Sequence, residues 1–289
     1  MEIAVRVYTH NIRYAITTPE RNELPWKNRK PFVARSIDFN TRHRCSFICL
    51  QEALHKQLVD VHSSIGVGEW AYVGAGREDG REAGEYSPIF YRPLEFELVR
   101  WRTIWLSPTP SVPSKGWDAA CIRILTIGEF IHKSTRREVV VMNTHLDHKG
   151  SLSRKKAAEM IRKEAQGLAE SGTAPGRRPV ILTGDFNSTV SDEAYKVLVR
   201  SGGGGEREPP LRDIRKEVQA EKRYGHENTF TGFGGGGGDP LERIDFVFLG
   251  CHDQVTVDGY GVLENRFEDG VYASDHRPVV GDILIRSQG

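Results

Sequence analysis

Ten polar residues that can do chemistry lie in or just after short apolar segments of the chain. They are Asn11, Glu52, Glu85, Arg123, His145, Asp185, Asn187, Asp245, Asp275 and His276. Carboxylates without cysteine or closely spaced histidines favour hard, oxygen-preferring ions, so we expect Mg²⁺ or Mn²⁺. Amide, arginine and histidine donors suit phosphate oxygens. The set therefore predicts metal-assisted attack of water on a phosphorus ester.

The segment from 180 to 189, VILTGDFNST, shows this pattern most clearly. Val180–Thr183 is typical of a buried strand, and Gly184 permits a tight exit from it. Asp185 and Asn187 follow at a spacing of two, which can turn a carboxylate and a carboxamide towards one point. The carboxylate can take a proton from water or hold a metal, and the carboxamide can orient what has been activated. An Asx turn at a strand end would explain the same two residues without chemistry.

The elements that must position these residues are mostly short strands. Strands are predicted over Ile3–Tyr8, Ser46–Leu50, Trp70–Val73, Ser87–Arg92, Phe96–Trp101, Ile122–Phe130, Val139–Asn143, Val180–Thr183, Ile244–Phe248, Val255–Leu263 and Pro278–Ile285. We expect Phe96–Trp101 to pair with Ser87–Arg92. Helices are predicted from a first turn at Pro31, over Leu54–Ile65, from Ser151 or Ser153 to about Ala169, from Ser191, and around Leu211–Val218.

This order of elements predicts an α/β (α+β) fold. Strands outnumber helices, and hairpin-like pairs interrupt the alternation of strand and helix. Two mixed β-sheets packed face to face with helices outside, a four-layered sandwich, fit this better than a doubly wound parallel sheet. No internal repeat or linker divides the chain, so we expect one catalytic domain over residues 1–289.

The composition limits the partners. Lys plus Arg, 40 residues, nearly balance Asp plus Glu, 39 residues, so any anion-attracting field must be local. The chain has no apolar run of membrane-spanning length and no charged-then-apolar leader. None of the four cysteines, Cys45, Cys49, Cys121 and Cys251, forms a C-x-x-C pair, which is typical of buried thiols in a reducing compartment. We expect a cytoplasmic monomer without stable membrane insertion.

Two other hydrolase chemistries are disfavoured by the motifs. The chain has no G-x-S-x-G sequence, which argues against an esterase of the α/β-hydrolase type. The segment His145-Leu146-Asp147-His148 looks like part of a dinuclear zinc hydrolase motif, but position 143 is Asn where that motif needs a histidine. His148 is then a loop residue near the site.

Six motifs in order resemble the endonuclease/exonuclease/phosphatase superfamily, which includes pancreatic-type DNase, apurinic endonucleases, deadenylases, sphingomyelinases and inositol-polyphosphate 5-phosphatases. The matching pieces are Thr9–Arg13, Leu50–Glu52, Asn143–His145, Gly184–Asn187, Arg243–Phe246 and Ser274–His276. Arg13 stands where apurinic endonucleases carry an acidic residue, so the chain looks more like the DNase-like branch. The segment between Trp105 and Asp118 is similar to small, uncharacterised fungal and microbial members.

The resemblance implies a role for each matching residue. Glu52 would hold the divalent cation, with Asn11 and Asp275 close to it. The residues that would act on water and phosphate are His145, Asp185, Asn187, Asp245, His276, Glu85 and Arg123. Among these, Asp185 would orient or deprotonate the attacking water, and Asn187 would steady it. Asp245 would pair with His276, and Glu85 with His145. A solvated loop-end charge is the alternative for Glu85, and a surface ion pair is the alternative for Arg123.

These residues fit more than one class of substrate. A phosphodiesterase, favoured as a nuclease on DNA or RNA, would use Arg13 to clamp phosphate, and Trp105 and Trp117 to stack on bases. The interpretation favoured for the two tryptophans themselves is that they anchor a long loop to the core. The alternative activity is that of a phosphomonoesterase or headgroup phosphodiesterase on inositol phosphates, nucleotides or phospholipids. An inactive scaffold is the alternative outside enzymes, but it would be expected to have lost one of the ten residues.

Overall fold

The computed structural model describes residues 2–172, 178–200, 211–234, 241–250, 255–267 and 270–286. Its strands are β1 (Glu2–Asn11), β2 (Ser46–Gln51), β3 (Ala53–Leu54), β4 (Ala71–Val73), β5 (Glu85–Tyr86), β6 (Ile89–Tyr91), β7 (Phe96–Trp105), β8 (Ile124–His132), β9 (Glu138–His145), β10 (Val180–Asp185), β11 (Arg212–Asp213), β12 (Arg223–Gly225), β13 (Asp245–Gly250), β14 (Val255–Val262) and β15 (Val279–Arg286). Its α-helices are α1 (Trp26–Thr41), α2 (His55–Ile65), α3 (Ser151–Glu170), α4 (Glu193–Val199) and α5 (Ile214–Glu217), with one 3₁₀ turn at Ala220–Lys222.

The strands form two large mixed sheets, as the sequence predicts. The first has the order β12-β14-β15-β1-β2-β6-β4 and the second β11-β13-β10-β9-β8-β7, while β3 and β5 make a small separate pair. The inner faces of the two large sheets pack on each other through residues such as Val7, Phe47, Val141 and Val247. Helices α1 and α2 cover the outer face of the first sheet, and α3 and α4 cover that of the second. The predicted four-layered α/β sandwich is confirmed.

Strand direction brings the polar residues to one edge of this sandwich. β1 and β2 are parallel in the first sheet, and β9 and β10 are parallel in the second. Asn11 at the end of β1 binds Asp185 at the end of β10, so all four carboxyl ends lie at one edge. β8, β13 and β15 run antiparallel to their neighbours, so their amino ends lie at that same edge. Residues from distant parts of the chain therefore meet there because of topology alone.

One predicted strand pairing is wrong. β7, which starts at Phe96, pairs with β8 in the second sheet, whereas β6 pairs with β2 and β4 in the first. Pro93 lies in the turn between β6 and β7, and the Phe96 ring packs on Phe47 and Phe130 between the sheets. The chain crosses from one sheet to the other at this point instead of forming a hairpin.

Two helix starts also differ from the sequence-based expectation. α1 begins at Trp26, and Pro31 lies inside it rather than in its first turn. The buried Arg29 side chain holds this earlier start in place by donating to the backbone oxygens of Ile12 and Ala273. The predicted serine cap of α3 is absent, because the Asp118 carboxylate accepts from the first-turn backbone instead. A carboxylate suits this place because the helix N-terminus is the positive end of the dipole.

The other predicted elements are found with shifts of a few residues at their ends. The helix predicted around Leu211–Val218 is shorter, since only Ile214–Glu217 is helical. Cys251 lies outside the described residues, and the three described cysteines are free thiols. Every helix in the described part of the chain is too short or too polar to cross a membrane.

Candidate active site

The ten residues come together at the edge where the strand ends converge. Asn11, His145 and Asp185 are the last residues of β1, β9 and β10, and Asp245 is the first of β13. Asp185 and Asp245 are register partners across the sheet. Glu52 directly follows β2, while Arg123 and His276 come just before β8 and β15. The sequence placed several of these side chains in loops after the strands, but the strands extend to include them.

A single carboxamide joins the two central carboxylates. The Asn11 side chain is fully buried, and its Nδ2 donates to Glu52 Oε1 and to Asp185 Oδ2, each at 3.0 Å. Its Oδ1 accepts from the backbone N–H of Arg13 at 3.0 Å, which fixes the orientation of the amide. The two carboxylates are therefore held within roughly 6 Å of each other across one nitrogen. Asn11 brings the first and second sheets together at the site.

Asp185 is buried and bound on several sides. Its Oδ1 accepts from the backbone N–H of Asn187 at 2.9 Å. Its Oδ2 lies 3.4 Å from His145 Nε2 and 3.6 Å from His276 Nε2. Burial, followed by the negative charge of Asp245, raises the pKa of Asp185 to about 7. A carboxylate with such a pKa can exchange a proton with water near neutral pH.

His276 is paired with Asp245. Its Nδ1 lies 2.8 Å from Asp245 Oδ2, and both side chains are almost completely buried. Burial alone would lower the pKa of His276, but the charges of Asp245 and Asp185 outweigh it and raise this pKa well above its usual value. His276 is therefore an imidazolium whose Nε2 faces the other carboxylate.

His145 differs from His276 in charge and tautomer. The Asn187 Nδ2 donates to the Leu146 backbone oxygen at 2.9 Å, which identifies this atom as the nitrogen of the amide. The same Nδ2 lies 3.0 Å from His145 Nε2, so Nε2 accepts and the proton sits on Nδ1. Burial and the nearby Arg123 charge lower the pKa of His145 well below its usual value, so the ring is neutral. Its Nδ1 is buried and makes no hydrogen bond with the described residues.

The expected pair between Glu85 and His145 is loose. Glu85 Oε2 lies 3.8 Å from His145 Nδ1, beyond hydrogen-bond distance, and is instead bound by Arg77 Nη1 at 2.6 Å. Burial, followed by the charge of Glu52, raises the pKa of Glu85 to about 7. Arg77 was not identified from the sequence, because its charged, glycine-rich loop carries no motif.

Arg123 is buried beside these groups and is no surface ion pair. Its Nε lies 3.5 Å from Asp147 Oδ2, and its Nη2 lies 3.2 Å from His148 Nδ1. Its Nη1 is buried, 3.9 Å from Glu85 Oε2, and has no hydrogen-bond partner among the described residues. Such an orphaned cationic donor is costly to bury unless a ligand completes its hydrogen bonds.

The donor set fits a divalent cation. Glu52 Oε2 accepts a hydrogen bond from the Tyr14 backbone N–H. Burial raises the pKa of Glu52, but the hydrogen bonds from Asn11 and Tyr14 outweigh burial, so the pKa is lowered. Burial, together with the nearby Glu52 charge, raises the pKa of Asp275. Two acidic groups that repel each other in a buried place fit a cation that neutralises both. Glu52 and Asp275 offer the hard oxygen ligands that Mg²⁺ and Mn²⁺ prefer.

Two of the three residues expected to bind substrate are already engaged in contacts within the protein. Trp105 is only 8% exposed, and its indole N–H donates to the Arg77 backbone oxygen, so it anchors its loop instead of offering a ring face. The Arg13 guanidinium is held by Glu20 at 2.7 Å and Glu23 at 3.4 Å. Trp117 remains 38% exposed and keeps a free ring surface. Stacking by Trp105 is therefore corrected to a structural contact.

Three residues around the site have a positive φ angle, and the sequence indicated such a conformation only at Gly184. This glycine has φ +147°, and a Cβ there would lie 2.1 Å from the Thr144 backbone oxygen. Glu52, with φ 60°, and Asn187, with φ 43°, are non-glycine residues in the left-handed region. Strain of this kind is retained where the surroundings determine it, and here it turns both side chains into the site.

Ser274, the first residue of the last motif, has a structural role that its sequence position did not indicate. Its Oγ donates to the Asn11 backbone oxygen at 2.6 Å and lies 3.3 Å from the His276 backbone nitrogen. It therefore fixes the segment that carries Asp275 and His276 against the end of β1. Asn143 is also explained, since its carboxamide points between the sheets and donates to two backbone oxygens instead of facing the site.

The chain matches one protein family and is similar to several known proteins. The model of the Endonuclease/Exonuclease/phosphatase family matches residues 33–276. The crystal structure of an endonuclease/exonuclease/phosphatase from Bacteroides vulgatus has 32% identity and a TM-score of 0.84, covering 98% of this chain and 99% of that one. A mannosyl-6-phosphatase of Bacteroides thetaiotaomicron has 30% identity and a TM-score of 0.80, covering 96% and 99%. Uncharacterized protein L388 of Acanthamoeba polyphaga mimivirus is 26% identical over 199 residues, which are 64% of this chain and 67% of the viral protein.

Proposed function

Since the chain belongs to the Endonuclease/Exonuclease/phosphatase family and is a phosphoester hydrolase, we propose that it is a phosphomonoesterase that directs water at the phosphorus of a small phosphorylated molecule. The family predicted from the six motifs is confirmed. The phosphodiesterase activity expected from the sequence, that of a nuclease, is kept as the second candidate. We propose Mg²⁺ or Mn²⁺ as its cofactor.

Unpartnered donors within the cluster of ten residues carry this proposal. Arg123 Nη1 and His145 Nδ1 are buried N–H groups without hydrogen-bond partners among the described residues. Protonated His276 adds a cationic N–H close to Asp185. Arg123 Nη1 and His145 Nδ1 lie 3.9 and 3.8 Å from Glu85 Oε2, and His276 Nε2 lies 3.6 Å from Asp185 Oδ2. Three such donors, two of them on charged groups, suit the terminal oxygens of a phosphomonoester dianion.

The chain's own residues divide the work of hydrolysis. A metal held by Glu52 and Asp275 would supply charge that neutralises the phosphate and polarises the phosphorus–oxygen bond. Asp185 accepts the proton of the attacking water, and the Asn187 backbone N–H keeps this carboxylate in position. His276 can give its Nε2 proton to a phosphate or leaving-group oxygen, because Asp245 stabilises the imidazolium before the reaction. Arg123 and His145 hold the remaining phosphate oxygens.

The overall charge and the contacts of two side chains also favour a small monoester over a long nucleic acid. The net charge is +1, so the surface as a whole lacks the basic excess that phosphate-backbone binding uses. Of the residues expected to clamp or stack, Trp105 and Arg13 are committed to protein contacts. Similarity to a mannosyl-6-phosphatase over nearly the whole chain supports the same choice. Trp117, which keeps an exposed ring, is the observation that favours a nuclease.

A substrate panel with two variants tests the proposal. Mannose 6-phosphate and p-nitrophenyl phosphate represent monoesters, and bis-p-nitrophenyl phosphate and single-stranded DNA and RNA represent diesters, each with Mg²⁺, Mn²⁺ or a chelator. Arg123→Gln should lower kcat/KM for monoesters by about 10- to 100-fold, since a hydrogen bond to a charged group contributes about 1.5–3 kcal/mol. Asp185→Asn should abolish turnover of every substrate.

The matched control is Arg102→Gln, which removes an arginine that binds Glu164 on the outside of the second sheet. It should leave kcat/KM unchanged. Cleavage of nucleic acid with monoesters untouched would move the function to the second candidate. Full activity of Asp185→Asn would refute the mechanism for both candidates.

Compartment and assembly are two separate proposals. The three described cysteines are unpaired, which fits a reducing compartment such as the cytoplasm. We keep a monomer with a single domain over residues 1–289 as the expectation. Cell fractionation and analytical ultracentrifugation test the two points separately.

A further inference from the structure

We propose that Cys45, Glu95 and His132 form a second metal site, which takes Zn²⁺ or a similar thiolate-preferring transition ion. One ligand atom from each of the three residues lies within 4.8 Å of the other two. A thiolate, an imidazole and a carboxylate are all established zinc ligands, and a thiolate selects against Mg²⁺. This donor set differs in kind from the oxygen donors of the active site.

The three residues lie at the end of the sandwich away from the active site. Cys45 comes just before β2, whereas Glu52 comes just after it, so a six-residue strand separates the two sites. Such a strand spans roughly 20 Å. His132 is the last residue of β8, and Arg123 lies before its first residue. Because β2 belongs to the first sheet and β8 to the second, a metal here would link the two sheets.

His132 is oriented for coordination. Its Nδ1 lies 2.9 Å from Thr135 Oγ1, and its ring packs edge-on against Phe96 at 5.4 Å between centroids. The residue is only 8% exposed. Its Nε2 lies 3.8 Å from Glu95 Oε2, beyond hydrogen-bond distance, and has no closer partner among the described residues. A hydrogen bond on one ring nitrogen that leaves the other free is the usual arrangement of a metal-binding histidine.

Glu95 is close to His132 because of strand pairing. Phe96 and His132 are register partners, and the Lys133 backbone N–H donates to the Glu95 backbone oxygen at 2.8 Å. The Glu95 side chain is 42% exposed and can move. Tetrahedral zinc bonds of about 2.0–2.3 Å place ligand atoms roughly 3.5 Å apart, so closing the site needs a contraction of about 1 Å. Rotation of the half-exposed Glu95 side chain can shorten its own distances to the other two ligands.

The neighbouring cation does not occupy the site. Arg92 lies near Cys45, but its guanidinium donates to Glu69 and to the backbone oxygens of Arg44 and Thr41. It also stacks on the Trp70 ring. All its strong interactions are therefore outside the metal site. Binding of the metal would release the thiol proton to solvent.

A second set of the same residue types offers a control. Cys121, Asp147 and His148 also lie within 4.8 Å of one another. The Asp147 carboxylate already accepts from four backbone N–H groups, and the Arg123 guanidinium contacts both Asp147 and His148. Filled lone pairs and an adjacent positive charge make this second set unsuitable for a cation. Cys121→Ala therefore matches Cys45→Ala chemically but should not affect metal binding.

Cobalt titration of the reduced, metal-free protein tests the site. Co²⁺ is added with Mg²⁺ in large excess, and absorption is followed in the ultraviolet and visible ranges. Wild type and Cys121→Ala should show a thiolate-to-cobalt charge-transfer band that saturates at one equivalent. Cys45→Ala should lose the band, and Glu95→Gln should bind at least about tenfold more weakly. Zn²⁺ should displace the cobalt and raise the Tm of wild type but not of Cys45→Ala.

Three results would overturn the proposal: no band in wild type, a band that persists in Cys45→Ala, or a band lost in Cys121→Ala. Unfolding of the metal-free variants shows whether Cys45→Ala is intact. If it is not, Glu95→Gln decides, because its half-exposed side chain leaves the fold unaffected. Mg²⁺-dependent hydrolysis by Cys45→Ala should equal that of wild type.

Discussion

Replacing Asn143 with aspartate tests how the two sheets are joined beneath the active site. Asn143 lies on β9 in the second sheet and is fully buried. Its Nδ2 donates to the backbone oxygens of Leu50 at 2.8 Å and Pro88 at 2.9 Å, both in the region of the first sheet. Its Oδ1 accepts from Gln51 Nε2 at 2.8 Å. One carboxamide thus connects the strands that carry Glu52 and His145.

Asn143→Asp keeps the shape of the side chain and turns its donor nitrogen into an oxygen. Two hydrogen bonds of about 1 kcal/mol each are lost, and at least one buried carbonyl is left facing an acceptor at about 1–3 kcal/mol. We expect the free energy of unfolding to fall by about 3–5 kcal/mol at neutral pH. Burial would raise the pKa of the new carboxyl group above its unfolded value of about 3.9, so the folded protein would bind the proton more tightly. The loss should therefore be smallest below about pH 4 and grow as the pH rises towards the folded-state pKa.

Urea unfolding followed by circular dichroism at pH 4.5 and pH 7.5 measures both effects. The control is Asn40→Asp, since the half-buried Asn40 makes one side-chain hydrogen bond, to the Ser36 oxygen of its own helix. This variant should lose less than about 1 kcal/mol at either pH. A loss at Asn143 as small as that of the control, or equal at the two pH values, would refute the amide bridge as the connection between the sheets.

Three other predictions concern stability. Burial lowers the pKa of His10 to about 3, whereas its unfolded value is about 6.5. The unfolded state therefore binds the proton more readily, and acidification from pH 6.5 to 4.5 should destabilise the wild type by up to about 1.4 kcal/mol per pH unit through this residue. In pH-dependent urea unfolding His10→Gln should flatten that slope, and an unaltered slope would show that His10 does not cause it. Gly184→Ala should lower Tm and kcat together, because the new Cβ would overlap the Thr144 backbone oxygen. The control Gly167→Ala in α3 has open space around it and should stabilise the protein by about 1 kcal/mol. Equal effects of the two variants in thermal unfolding would contradict the backbone argument. Asp118→Ala should lower the Tm by removing the acceptor at the start of α3, and an unchanged Tm would mean that solvent replaces it.

The fold class could be predicted because each strand is short, apolar and followed by polar residues. Those patterns give the period and the ends of the strands to within a few residues. They do not give sheet membership, which depends on packing between segments far apart in sequence. The wrong pairing of β6 with β7 shows this, since Phe96 is placed by contact with Phe47 and Phe130, 49 and 34 positions away. No local pattern contains that information.

The residues of the candidate site could also be predicted from local patterns in the sequence. Polar residues at the ends of apolar strands have few structural roles, so their types and order already indicate one edge and one chemistry. Their partners are less visible. Arg77 lies in a charged loop whose side chains are all expected to face solvent. Only the fold shows that Arg77 binds Glu85. Trp105 has the type of a base-stacking residue, but its burial depends on a loop contact that spacing does not encode.

The two histidines show where equal motifs lead to unequal chemistry. From the sequence each has a carboxylate partner, so His145 and His276 are expected to behave alike. In the structure Asp245 binds His276 at 2.8 Å, while Arg77 draws Glu85 away to 3.8 Å from His145. The pKa of His276 is therefore raised by two carboxylates, and that of His145 is lowered by burial and Arg123.

A charged and a neutral imidazole, each with its Nε2 near Asp185 Oδ2, can act differently on one phosphate. Protonated His276 can give up a proton to a departing oxygen and regain it from water through the Asp245-stabilised ring. Neutral His145 can only donate a hydrogen bond from Nδ1, because Asn187 occupies its Nε2. Asp245→Asn should therefore lower kcat more than KM rises, whereas loss of the His145 N–H should act mainly on phosphate binding. Steady-state kinetics of Asp245→Asn and His145→Ala on one monoester would show this difference, and parallel losses in both variants would mean that the two rings share a single role.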